Sequence, residues 1–217
     1  MHVTVVIPTL DRWSLLQKTV ESIHSNTYKD VSVLIIVDGN QELLQLAKSL
    51  SAEVLFNEER RDWVWSMNRA LRYKREGAVI YASDDLEFDP RCIEIAVNRL
   101  EEKMPNTDGL IAIKQSVVGC STAFGLLGHR FIERFPDRAV FCPDYVHYGS
   151  DSELGRFAHS INRLHICDEA RVKHHRLQDT TYRTAKPMEI QDFHYIDIRR
   201  EAGLLWGRDF KLLRKES

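Results

Sequence analysis

With 217 residues, 43% of them apolar, the chain can bury one substantial core, or one core with a small appendage. A formal net charge of -2 argues against a protein built mainly to coat nucleic acid, and no apolar run of about eighteen residues offers a membrane span. Cys92, Cys120, Cys142 and Cys167 are scattered and form no Cys-x-x-Cys pair, so they read as reduced thiols of a cytoplasmic protein and not as a structural zinc site.

The first element is expected over residues 3–8, a β-branched run that ends in Pro8-Thr9 as a buried parallel strand would. It follows Met1 without a basic leader, so it reads as a strand and not as a signal peptide. Residues 12–24 carry Leu15, Leu16, Val20 and Ile23 at helical spacing, with Asp11 placed to cap them. A second buried strand over 31–37 stops at the turn signal Asp38-Gly39-Asn40. A helix over 41–50, a strand over 52–56, a helix over 63–74 and a strand over 78–82 follow. Asp89-Pro90 supplies an N-cap and an N1 proline for a helix over 90–103, and residues 110–113 form a fifth strand. Strands and helices alternating at these lengths predict a mostly parallel sheet covered on both faces. Beyond about residue 115, Gly119, Gly125, Gly128, Pro136, Pro143 and Gly149 punctuate the pattern, and turns and short strands are expected. A helix over 150–161, short strands over 164–167 and 170–174, and a terminal helix over 188–205 complete the chain. Nothing resembles a linker, so one domain of two-part character is expected.

Ligands of such sheets bind outside the carboxyl ends of the strands, which here carry Pro8-Thr9, Asp38, Asn57 and Asp84-Asp85. The last pair is the most informative. Two adjacent carboxylates repel unless a positive charge stands beside them. A divalent cation held by one or two carboxylates shares its remaining sites with phosphate. Capping is not needed from these acids, because Asp89-Pro90 is available to start the next helix.

Four stretches form a pattern in shared order across roughly residues 3–176. Val5-Val6-Ile7-Pro8-Thr9-Leu10-Asp11-Arg12 opens it and Ile35-Ile36-Val37-Asp38-Gly39-Asn40 continues it. Asn68-Arg69-Ala70-Leu71 then precedes Ala82-Ser83-Asp84-Asp85, and Tyr148-Gly149-Ser150-Asp151-Ser152-Glu153 precedes Glu169-Ala170-Arg171-Val172-Lys173-His174-His175. The pattern resembles that of family 2 glycosyltransferases. The resemblance implies the GT-A fold, a Rossmann-like, mostly parallel α/β sheet with helices on both faces. It implies a single domain over 1–217, with 1–115 the nucleotide-sugar-binding half and 116–217 the acceptor and catalytic half with a C-terminal helical tail. The implied activity is transfer of one sugar from a nucleoside diphosphate sugar, with a uridine diphosphate sugar the expected donor, to a hydroxyl acceptor of unknown identity.

In that frame the resemblance makes Asp85 and His174 the ligands of a divalent cation, Mn2+ or Mg2+, which would stabilise the departing diphosphate. Asp84 falls to the ribose hydroxyls, and Pro8, Thr9, Asp11, Arg12, Asp38, Asn68 and Ser83 to the rest of the donor. Arg171 and Arg176, in a dense cationic stretch with Lys173 and Arg183, suit its diphosphate. Asp151 is the expected general base with Glu153 in reserve, although both acids also favour the first turn of a helix. A single base assisting direct displacement predicts inversion. The chain departs from the pattern at Gly39, Met67 and Ser83, and Arg60, Arg61 or Arg69 could compensate. Trp63 and Trp65 read as packing residues. Acceptor recognition would fall to residues 115–150, with Phe124, Leu126, Leu127, Phe131, Phe141, Tyr145, His147 and Tyr148 as aromatic and apolar surface. Other readings are a nucleotidyltransferase, which the glycine-free turn after the first strand opposes, and a silent sugar-nucleotide or glycan-binding module.

Overall fold

A computed structural model describes residues 1–213. The last four residues of the expected tail, 214–217, lie outside the described residues. The strands are β1 (Val3–Thr9), β2 (Val31–Asp38), β3 (Glu53–Asn57), β4 (Ala78–Tyr81), β5 (Leu86–Phe88), β6 (Leu110–Gln115), β7 (Gly125–Leu127) and β8 (Leu164–His174). The α-helices are α1 (Trp13–His24), α2 (Gln41–Ala47), α3 (Asp62–Tyr73), α4 (Cys92–Lys103), α5 (His129–Ile132), α6 (Ser150–Ser160) and α7 (Thr180–Glu201). All eight strands join one sheet in the order β3-β2-β1-β4-β7-β6-β8-β5.

The half containing β1 to β4 is parallel, as the alternation of strands and helices predicts. Every residue of β1 is buried, because each face of the sheet is covered. Val3, Val5 and Ile7 pack with Leu16, Val20 and Ile23 of α1 and with α4. Val6 faces the other way, onto Val64, Met67 and Leu71 of α3 and onto Phe131, Phe141 and Phe157. Fully burying one such side chain stabilises the fold by about 1.5–3 kcal/mol, so these two layers dominate its stability.

The second half is mixed. β7 runs antiparallel to both β4 and β6, and β5 runs antiparallel to β8. β8 is one strand of 11 residues, not the two short ones expected. Its ladder with β6 jumps from Cys167 to Arg171, so a bulge holds the polar residues that had read as a break. Two other expectations shift for related reasons. Asp89 is drawn into the β5 edge, its N–H donating to the Arg171 carbonyl, and α4 begins only at Cys92 with Arg91 at its N-cap. Asp11 does not cap α1, since Arg12 holds that position without a side-chain capping bond. α7 starts eight residues before the expected 188, because Asp179 caps it through the Tyr182 N–H and the helix runs through Pro187. Among the described residues no helix is long and apolar enough to cross a membrane.

Candidate active site

The carboxyl ends of β1, β2 and β4 open into a cavity of ≈ 430 Å³, roofed by α7 through Thr181, Tyr182, Ala185, Phe193 and Ile196. Asp84 and Asp85 lie on its floor, only 4% and 3% exposed. Their turn is fixed from below by the buried Thr19 of α1. Its hydroxyl contacts the Asp84 carbonyl at 3.1 Å and the Leu86 carbonyl at 2.7 Å, and it accepts from the Leu86 N–H at 3.2 Å.

The two carboxylates have different surroundings. Asp84 accepts from the Thr9 hydroxyl at 2.7 Å and from Arg12 Nη1 at 3.3 Å. Burial, then the neighbouring charge of Asp85, raises its pKa to about 7 despite those donors. Asp85 accepts from Ser83 Oγ at 2.6 Å and from Arg12 Nη1 at 3.1 Å, and His174 Nε2 lies 3.4 Å from its Oδ2. Burial would raise its pKa too, but the hydrogen bond and charge of His174, with Ser83 and Arg12, outweigh it and hold the carboxyl below its ordinary value.

His174 reaches the site because β8 alternates. Val172 and His174 turn inward, whereas Arg171 and Lys173 face solvent. The imidazole Nδ1 is 2.9 Å from Gln115 Oε1, and the Gln115 amide nitrogen donates to the Cys120 carbonyl at 3.0 Å, which orients the amide. Nδ1 therefore carries a hydrogen; Nε2 donates to Asp85 when the ring is protonated, the form that holds the carboxyl down, and offers a lone pair on the same side once a cation displaces that proton. A separation of 3.4 Å suits two adjacent ligands on one small cation with bonds of about 2.0–2.2 Å. Among the described residues no three His, Cys, Asp or Glu side chains form a complete ligand set, so a cation here would take its other ligands from phosphate and water.

Asp151 lines the same cavity from the first turn of α6. Burial raises its carboxyl pKa, opposed by the Ser152 N–H, which donates to it at 2.8 Å, and by the nearby Cys120 thiol. Gly149 enters α6 at φ +84°, and a Cβ there would meet Ile196 Cδ1 at 2.5 Å. The positive φ is what favours glycine at that position.

Pro8, Thr9, Arg12, Asp38, Ser83, Asp84, Asp85, Asp151, His174 and Arg176 all line the cavity. Four expected residues do not. Asn68 is buried and clamps Phe141, donating to its carbonyl at 2.7 Å and accepting from its N–H at 3.0 Å. Arg171 lies on the outward face of β8, its Nε bonded to the Asp168 carbonyl at 2.7 Å. Asp11 sits beside the cavity and accepts from the Thr181 hydroxyl. Glu153 is fully buried beneath α6 with Arg199, the Tyr145 hydroxyl and the Trp206 N–H as partners, so it is no reserve base.

Asp38 lines the cavity, but its oxygens already accept from Asn57 Nδ2 at 2.7 Å, the Arg61 N–H at 2.9 Å and the Asp62 N–H at 2.8 Å. It holds the start of α3 as well as facing the pocket. Of the aromatic set, Phe124, His147 and Tyr148 line the cavity, whereas Leu126, Leu127, Phe131, Phe141 and Tyr145 are core. Trp63, read as packing, does both: it lies edge-on to Phe141 at 4.8 Å and also lines the cavity. Gln115, Cys120 and Tyr182 escaped sequence reasoning because no local pattern marks them. Asp179 could have been found from its Asp-Thr capping signal.

A family model described as glycosyl transferase family 2 matches residues 4–138, more than half of the chain. The chain belongs to glycosyl transferase family 2. The matched family 2 segment includes the β1 end, Asp38 and the acid pair, and stops before Asp151 and His174. Over 125 residues the chain is 29% identical to the glucosyl-dolichyl phosphate glucuronosyltransferase of Haloferax volcanii, covering 54% of this chain and 39% of that protein. It resembles the mannosyltransferase PcManGT of Pyrobaculum calidifontis, solved with GDP-Man and Mn2+, with a TM-score of 0.68 at 17% identity. That match covers 92% of this chain and 64% of the mannosyltransferase. Glucosyl-3-phosphoglycerate synthase of Mycobacterium tuberculosis, solved with Mn2+, UDP and glucosyl-3-phosphoglycerate, matches with a TM-score of 0.69 at 15% identity, over 94% and 80% of the two chains. At these identities the solved structures establish the GT-A fold alone. The chain spans well under half the length of the curated relative and about two thirds of the mannosyltransferase.

Proposed function

We propose that the protein transfers one sugar, with inversion, from a nucleoside diphosphate sugar to a hydroxyl acceptor. The observation that carries this reading is the meeting of Arg12, the acid pair, His174 and Asp151 in one cavity. The half over 1–115 holds the donor and the half over 116–217 supplies the acceptor side. The nucleoside lies toward Pro8, Asp38 and Arg60, with a uridine diphosphate sugar as first choice. Asp84 faces the ribose hydroxyls, and Arg12, Arg176 and Thr9 bind around the diphosphate.

Asp85 and His174 hold a divalent cation, Mn2+ or Mg2+. When bound, such an ion supplies Lewis-acid stabilisation of the diphosphate leaving group. Asp151 takes the proton of the acceptor hydroxyl as its oxygen bonds to the anomeric carbon, and the bond from that carbon to the diphosphate oxygen breaks. Burial raises the Asp151 carboxyl, which makes it a better base than an ordinary exposed aspartate. Roofing by α7 keeps water from competing with the acceptor. The nucleotides and cation bound in the solved structures, GDP-Man, UDP and Mn2+, support this class of substrate.

The test is donor hydrolysis or transfer with added Mn2+. Asp85→Ala and Asp151→Ala should each lower turnover by about 100-fold or more, with the fold intact by circular dichroism. Turnover unchanged in both variants would overturn the assignment.

A further inference from the structure

Arg12 binds four carboxylate oxygens at once. Its Nε and Nη2 grip Asp179 in a bidentate pair at 2.8 and 2.9 Å. Only Nη1 turns to the acid pair, at 3.3 Å from Asp84 and 3.1 Å from Asp85. Asp179 is also the N-cap of α7, accepting from the Tyr182 N–H at 2.9 Å. The residues that follow it roof the cavity. Farther along, α7 is pinned independently. The buried Asp192 accepts from the N–H groups of Val146, His147 and Tyr148 at 2.7 to 2.8 Å, and Arg199 is buried against Glu153 and Asp144. The first turn of the roof thus depends on the Arg12 contact in a way that the rest of the helix does not.

Three carboxylates, Asp84, Asp85 and Asp179, converge on one guanidinium, with His174 Nε2 also 3.4 Å from Asp85 Oδ2. A cluster so rich in carboxylates favours a further cation. Arg12 and a cation on Asp85 Oδ2 would compete for the same oxygen and repel each other. Asp179 decides how far Arg12 presses on that oxygen, because it takes two of the three guanidinium nitrogens away from the acids.

We propose that Asp179 and Arg12 are a positioning pair that sets the charge of the cation site: Asp179 draws the guanidinium aside so that Asp85 and His174 can take a divalent cation. The same contact links the occupancy of that site to the seating of α7. This rests on the cation reading given above. Asp179→Asn keeps an N-cap for α7 but loses the ionic grip, so Arg12 falls back on Asp84 and Asp85. Arg12→Gln removes the competitor.

The test is Mn2+ titration of the full chain by electron paramagnetic resonance, with no donor present. Asp179→Asn should weaken Mn2+ binding by about five-fold or more, and Arg12→Gln should tighten it. In the double variant the affinity should return to that of Arg12→Gln, because Asp179 acts only through Arg12. Arg12→Met stands in if Arg12→Gln does not fold, since it also removes the charge. Amide exchange in the first turn of α7 should slow on adding Mn2+ in the wild type and not in Asp179→Asn. Wild-type protein that takes up no Mn2+ overturns the cation reading itself. Mn2+ uptake by the wild type with both single variants unchanged, or both weakened, overturns the positioning pair alone, since a merely structural contact would not give shifts of opposite sign.

Discussion

Asp84 and Asp85 share a side chain and a turn, yet Asp84 is pushed up to about 7 while Asp85 is held below its ordinary value. The difference comes from the partners, His174 and Ser83 standing only beside Asp85. It has a consequence for stability. An aspartate at about 7 in the folded chain and at its ordinary 3.8 in the unfolded one binds more protons when folded, so stability falls as pH rises between those values. Asp84→Asn should therefore raise the melting temperature of the metal-free protein by several degrees at pH 8, and leave it nearly unchanged at pH 4. Melting by circular dichroism at the two pH values checks this; an equal shift at both would contradict it. The acid pair was legible in the sequence, because like charges at a strand end are visible in the residues, and it carried the expectation of a cation. That a protein guanidinium stands beside them was not visible, since Arg12 lies 72 and 73 residues before the two acids.

At the level of elements, α6 and α7 show why neighbouring acids diverge in placement. Asp151 and Glu153 both lie in the first turn of α6, but successive helical positions turn by about 100°. Asp151 faces the cavity, and Glu153 points beneath the helix to Arg199, both of them fully buried. Sequence reasoning could place both in a first turn and could not see the partner on α7. Glu153→Ala leaves the Arg199 charge without its main counter-ion. It should cost about 3–5 kcal/mol in urea unfolding. A loss under about 1 kcal/mol would show that Asp144 alone suffices for Arg199. The terminal helix itself was expected, but from 188 onward, whereas it runs from Thr180 straight through Pro187. Asp179 wins as the cap, and the eight residues added bring Thr181, Tyr182 and Ala185 to the roof of the site.

For the whole molecule, the parallel half was legible because buried β-branched runs alternate with amphipathic helices from residue 3 onward. The mixed half was less so. β5 and β7 are three residues each, too short to carry a period, and they are set by pairing with β8, β4 and β6. The sheet order explains the site: β4 lies centrally, β1 and β2 on one side bring Thr9 and Asp38, and β8 on the other brings His174. The strands on the two sides are distant in sequence, so only the resemblance to a family could join them beforehand. Transfer at this site requires that a nucleoside diphosphate sugar and a divalent cation bind the cavity together. The most direct measurement is a thermal shift with a panel of such sugars, with and without Mn2+. At saturation, at least one donor should raise the melting temperature by roughly 5–10 °C in Mn2+, and Asp85→Ala should lose the rise. No shift from any donor, or a full shift retained in Asp85→Ala, would contradict it.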